Sequence, residues 1–237
     1  MSKVTLNTKE NKLIRDLVKH YRDHRKIFET FLNSFVPRVT GNDELMQYIH
    51  SIKWRTKSIK SLKDKLKRKF EKQILDGKPI DYSKENLFIK VNDLAGFRIL
   101  YLYTNQFDKI NEILLRIFND EKYELIEGPE ARVWDDEYRS IFNKKKIKTT
   151  GGGDNLYTSI HYVLNTKRQN EFTFEIQVRT LADELWGEVD HKLNYPKRTK
   201  NISCGEQLKV LARLTSSCTR LVDSIFKSYD SSKRKKH

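Results

Sequence analysis

Two short segments constrain this chain most: Tyr157-Thr-Ser-Ile-His161 and Phe174-Glu-Ile-Gln-Val-Arg-Thr180. In the second, apolar Phe174, Ile176 and Val178 alternate with Glu175, Gln177 and Arg179. A strand of that period buries one row and turns the other toward solvent or ligand. The first segment has the same period, with Tyr157, Ser159 and His161 on one face. Side by side, the two would set an aromatic ring, an imidazole, a carboxylate and a guanidinium on one wall. That set suits a nucleotide, although alternation alone describes any pair of half-exposed strands equally well.

A third segment, Asn92-Asp-Leu-Ala-Gly-Phe-Arg-Ile99, narrows the reading. The patterns D-x-x-G-x-R, Y-x-S-x-H and E-x-Q-x-R-T occur here in that order, and together they resemble the synthetase domain of the RelA/SpoT family. Before them, Arg55-Thr-Lys57-Ser58 followed by Lys65 is similar to the family's ATP-binding R-x-K-S…K segment. After them, Leu185-Trp-Gly-Glu-Val-Asp-His191-Lys-Leu-Asn-Tyr195 resembles its W…H-K…Y segment.

The resemblance implies a pyrophosphokinase that moves the β,γ-pyrophosphate of ATP to a ribose 3′-hydroxyl with Mg²⁺. It implies an α+β fold, a mixed nucleotidyltransferase-like sheet covered by helices. Asp93 and Glu175 are then the catalytic and metal-holding carboxylates, with Glu175 also the candidate base. Arg55, Lys57, Ser58, Lys65 and Arg98 would bind ATP, and Tyr157, His161, Gln177, Arg179 and Lys148 the acceptor. If one helix carried residues 55 to 65, Arg55 and Lys65 would lie about 80° apart and clasp one ligand. His191 and Tyr195 are expected to support the site from a helix.

One departure concerns the acceptor. Where the family has a lysine four residues before the tyrosine, this chain has Gly153 within Gly151-Gly-Gly-Asp-Asn-Leu-Tyr157, and the lysines stand upstream at 144–146 and 148. Two acceptors compete within the family: GDP or GTP, giving (p)ppGpp, and the 3′-terminal adenosine of tRNA, as in toxic small alarmone synthetases. An adenine nucleotide is a minor third choice, and a toxin of this kind implies a neutralising antitoxin. A non-catalytic nucleic-acid-binding module would be signalled by loss of a metal carboxylate, and both are present.

Charge bears on that choice. The formal net charge is +15, distributed as 19 Lys and Arg against 8 Asp and Glu in residues 1–72, 17 against 21 in 73–196, and 11 against 3 in 197–237. A mildly acidic core between basic flanks suggests a polyanionic partner, and Arg22, Arg25 and Lys26 are the expected tRNA contacts. The acceptor reading therefore leans to tRNA.

With 26 aromatic residues (12 Phe, 11 Tyr, 3 Trp) the chain has enough bulk for a core. The expected organisation is a helical extension over 1–50, the synthetase core over 51–196 and a C-terminal helix with a basic tail over 197–237. Pro37 is expected to end the first helix, a second helix to bury Leu45, Ile49, Ile52 and Ile59, and residues 87–91 to form a strand. The last helix should start at a Ser203–Glu206 capping box and bury Leu208, Leu211, Cys218, Leu221, Val222, Ile225 and Phe226. Cys204 and Cys218 would be about 21 Å apart on it, free rather than bridged. No segment reads as a membrane span or signal peptide, which points to the cytoplasm.

Overall fold

The computed structural model describes residues 5–152, 156–167, 171–195 and 198–234. Gly153 and the last three residues of the tail lie outside these. Eight helices and six strands are described: α1 (Thr8–Thr40), α2 (Asp43–Met46), β1 (Ser51–Thr56), α3 (Ile59–Leu75), α4 (Leu87–Lys90), β2 (Ala95–Tyr101), α5 (Gln106–Asp120), β3 (Glu124–Arg132), α6 (Asp136–Lys144), β4 (Lys148–Thr150), β5 (Ser159–Asn165), β6 (Thr173–Thr180), α7 (Leu181–Asn194) and α8 (Ile202–Arg234).

The strands form one mixed sheet in the order β1-β2-β6-β5-β3-β4. β2 and β6 run parallel at its centre, with Gly96 opposite Glu175 and Arg98 opposite Gln177. β1 pairs antiparallel with β2, setting Lys53 beside Arg98 and Arg55 beside Gly96. β5 pairs antiparallel with β6, setting His161 beside Gln177. Paired residues share a face, so Lys53, Arg98, Gln177 and His161 form one polar row across four strands. The opposite face, with Phe97, Ile99, Phe174, Ile176 and Val178, is buried.

α1 supplies much of what covers that face. Asn7 and Glu10 form the expected capping box, and Phe31 and Phe35 pack on Phe174 at ring separations of 4.6 and 5.4 Å. The helix continues through Pro37 to Thr40 instead of breaking, because Val36 and Val39 keep its last turn packed in the core.

Further expectations are corrected. Residues 51–56 form edge strand β1, so no single helix carries Arg55 and Lys65, and the angular argument for their clasp does not apply. Residues 87–90 form one helical turn rather than a strand. α8 is capped by Asn201, whose Oδ1 accepts from the Cys204 amide at 3.1 Å, and not by Ser203. Its buried face holds Leu208, Ala212, Thr215, Ser216 and Thr219, while Leu221 and Ile225, expected inside, are 62% and 55% exposed. Cys218 is exposed too, and both cysteines are free. Among the described residues no helix is long and apolar enough to cross a membrane.

Candidate active site

The turn into β2 and the middle of β6 bring Asp93 and Glu175 to one cleft. Two adjoining cavities of about 500 and 310 Å³ share Arg55, Asp93, Arg98, Gln177 and Glu188 in their walls. Between Arg55 and Glu175 the polar face has a gap at Gly96. A Cβ there would meet nothing nearer than the Arg55 carbonyl at 3.9 Å. The fold would tolerate a side chain, so the glycine's effect is to leave the cavity floor open.

Asp93 is held by two cations, Lys57 Nζ at 2.5 Å and Lys65 Nζ at 2.8 Å. Burial raises its pKa, but the two lysines outweigh burial and leave it below the ordinary value. Burial also lowers Lys57, with Asp93 opposing. Glu175 accepts from His161 Nδ1 at 2.8 Å and from Gln177 Nε2 at 2.9 Å. Burial pushes Glu175 up and the nearby Asp93 charge adds to that, yet contact with His161 and Gln177 brings it below its ordinary value. Both carboxyls therefore stay ionised at neutral pH.

His161, expected among the acceptor contacts, sits against Glu175. It is buried, one nitrogen meets Glu175, and its Nε2 has no hydrogen-bond partner. It stands behind the carboxylate and orients it. Tyr157 precedes β5; its hydroxyl donates to Gln177 Oε1 at 3.3 Å, and the Arg179 guanidinium lies 5.5 Å from its ring centre. Ser58 serves as the N-cap of α3, accepting from the Ser61 amide at 3.1 Å. Lys148 sits on β4, three strands from β6, ion-paired to Glu130 at 2.9 Å, and lines neither cavity. Arg25 is not a free basic contact: it donates to Thr56 Oγ1 at 2.9 Å and pairs with Glu29 at 3.0 Å. Arg22 and Lys26 are exposed.

Several residues here escaped the sequence reading. Glu184, in the first turn of α7, pairs with Lys53 at 2.7 Å, with Arg98 at 2.9 Å and with Arg179. Burial raises its pKa, but the three cations together hold it well below the carboxylate range. One turn on, Gly187 leaves space for Arg179, because a Cβ would stand 2.5 Å from that guanidinium. On the α3 side Arg68 lies 5.0 Å from the Tyr195 ring centre. Tyr195 stacks on His191 at 4.6 Å and donates to the Ser61 carbonyl at 3.3 Å.

Two carboxylates facing a cleft, with lone pairs to spare and room for water, fit Mg²⁺, which binds through one or two carboxylates plus substrate phosphates and keeps several waters. Among the described residues no group of three or more His, Cys, Asp or Glu forms a closed metal cage.

A mixed sheet with paired acids and a ring of cations defines a phosphate-transferring enzyme. Residues 54–200 match the family model described as the region found in RelA and SpoT proteins, and the chain belongs to this pyrophosphokinase family. Solved structures agree in fold. Small alarmone synthetase 1 of Bacillus subtilis bound to its product pppGpp is 18% identical, covering 90% of this chain and 99% of that one at a TM-score of 0.62. The same enzyme bound to AMPCPP is 17% identical over 86% and 95%, at 0.58. Small alarmone synthetase 2 of B. subtilis is 18% identical over 88% and 98%, at 0.60. A comparison with curated protein sequences found no match.

Proposed function

We propose that this pyrophosphokinase uses the 3′-terminal adenosine of tRNA as acceptor and thereby blocks translation. The observation that carries this is the spread of positive charge beyond the cleft. The cleft's Arg68 belongs to α3, which also exposes Lys60, Lys63 and Lys69 at different points around its circumference, and α1, packed beside it, exposes Arg22 and Lys26. A mononucleotide needs cations only inside its pocket, whereas exposed cations on the neighbouring helices suit a polyanion.

In this reading Lys57, Lys65, Arg55 and Arg68 hold the triphosphate, and Tyr157 offers its ring to the acceptor base. Glu175, aimed by His161 and Gln177, accepts the hydrogen bond of the attacking 3′-hydroxyl and takes its proton as the oxygen bonds to the β-phosphorus and AMP departs. Arg98, steadied by Glu184, faces the charge that develops on the transferred group. Asp93 and Glu175 would hold Mg²⁺, which supplies charge neutralisation on the phosphates. An antitoxin partner belongs to the same reading.

The second reading takes GDP or GTP as acceptor and is favoured by the likeness to a synthetase solved with pppGpp. Incubation with γ-labelled ATP and either bulk tRNA, GDP or GTP separates the two. Label on tRNA is the expected result; label on GDP or GTP alone establishes the alarmone synthetase.

A further inference from the structure

On the far side of α7 from the cleft lies a third cavity, of about 320 Å³. α7 is the partition between them. Gly187, Glu188 and His191 line the cleft, Trp186 and Asn194 line the third cavity, and Asp190 lines both. At about 100° per residue the two sets face directions roughly 110° apart. The segment before β5 divides in the same way, with Tyr157 in the cleft and its neighbour Leu156 in the third cavity. A ligand seated against Tyr157 is therefore about one residue, roughly 3.8 Å of backbone, from the next cavity.

The walls of this cavity change in character from floor to rim. Trp186 and Leu208 are buried and, with half-buried Leu156, make an apolar floor. The Trp186 indole N–H donates to the Leu208 carbonyl at 3.0 Å, which fixes the ring in place. Arg198 and Lys200 stand exposed on the rim, in the segment that leads into α8, and neither is ion-paired among the described residues. A third cation, Lys209, is taken by Glu206 at 2.8 Å. Asp190 accepts from Asn194 Nδ2 at 2.8 Å and keeps lone pairs for an amino group. An apolar floor, two unpaired cations and an acceptor between them suit a base joined to a phosphate.

We propose that the third cavity holds the nucleotide that precedes the terminal adenosine of the acceptor, its base over Leu156 and Trp186 and its phosphodiester at Arg198 and Lys200. This rests on the tRNA reading and adds a recognition site to it. A free nucleotide has the same chemistry. The shared wall favours a linked one, because Asp190 and the adjacent pair Leu156 and Tyr157 set the two cavities end to end. Transfer to a mononucleotide has no use for a second base site beside the first.

The full-length protein is given γ-labelled ATP and Mg²⁺ with adenosine, with the dinucleotide cytidylyl-3′,5′-adenosine or with bulk tRNA, beside Arg198→Ala/Lys200→Ala. Both residues are exposed, so far-UV circular dichroism should be unchanged. Wild type is expected to use the dinucleotide with a kcat/KM about tenfold or more above adenosine, the effect of one charge-assisted phosphate contact. The variant should lose most of that advantage and label tRNA with a higher KM, while its Kd for ATP and its rate with adenosine stay as in wild type. A variant that labels tRNA as well as wild type does, or a dinucleotide no better than adenosine, overturns this site and leaves the tRNA reading standing. Added CMP tests the free ligand: if it changes adenosine labelling by wild type and not by the variant, and the dinucleotide has no advantage, the cavity serves a free nucleotide instead. Label on GDP or GTP alone overturns both readings together.

Discussion

Glu175 has one oxygen fixed by His161 and the other by Gln177, so its direction is set before any substrate arrives. Glu175→Gln keeps the shape but can neither take a proton nor match the charge. Transfer should fall by at least about a hundredfold while ATP affinity changes little; turnover within tenfold of wild type would remove Glu175 from the mechanism. Asp93→Asn should lose transfer through the metal instead, and raising Mg²⁺ should recover part of it, which a titration of initial rate measures. The placing of both acids was legible in the sequence because motifs named them, and alternation fixed the face of Glu175. Glu184 and Gly187 were not. Their importance comes from how α7 meets Arg179, and helix packing against a buried guanidinium leaves no periodic trace. Motif position named Ser58, and Lys148 was the upstream stand-in for a displaced motif lysine; local geometry gives the one a cap and the other an edge ion pair, which no sequence pattern announced.

The cap on α3 separates structure from binding. Ser58→Ala should cost about 1 kcal/mol of stability, seen as a lower melting temperature, and leave the Kd for ATP nearly unchanged. A large rise in Kd would restore Ser58 to the ATP site. At the start of α7, Asp183 is buried, and burial raises its pKa to about 6 against the hydrogen bond from Thr180. An acid raised in the folded state binds its proton more tightly there, so its contribution to stability falls as pH rises from 3.8 through about 6. Asp183→Asn should therefore melt higher than wild type at pH 8, by on the order of 2 to 3 kcal/mol, and lose that advantage near pH 4. Asp93 and Glu175 act with the opposite sign: their contribution is full above the ordinary carboxylate range and lost in stronger acid. Among elements, β5, β6 and α7 were legible because alternation and helical period were unambiguous. Ile49, Ile52 and Ile59 imitated a helical stripe through β1, and the short apolar run Leu87–Val91 fits a strand and a helical turn equally well.

At the scale of the whole molecule, a tRNA acceptor makes binding depend on salt. Affinity for tRNA should fall by about one to several orders of magnitude between roughly 50 and 200 mM salt, while the apparent Kd for ATP at fixed Mg²⁺ moves far less. Arg22→Glu/Lys26→Glu should weaken tRNA labelling and spare ATP binding; Arg25 is left intact because it ties α1 to β1. Equal labelling by this variant would make that surface a solvated face only. The strand order has a further consequence, for the chain as it is being made. β6 is the last strand in sequence and lies between β2 and β5, so before residue 180 emerges the sheet consists of two unjoined pieces. One piece carries Asp93 beside it, and neither carries Glu175. The enzyme is therefore inert while most of its chain is being translated, and the timing is set by topology alone.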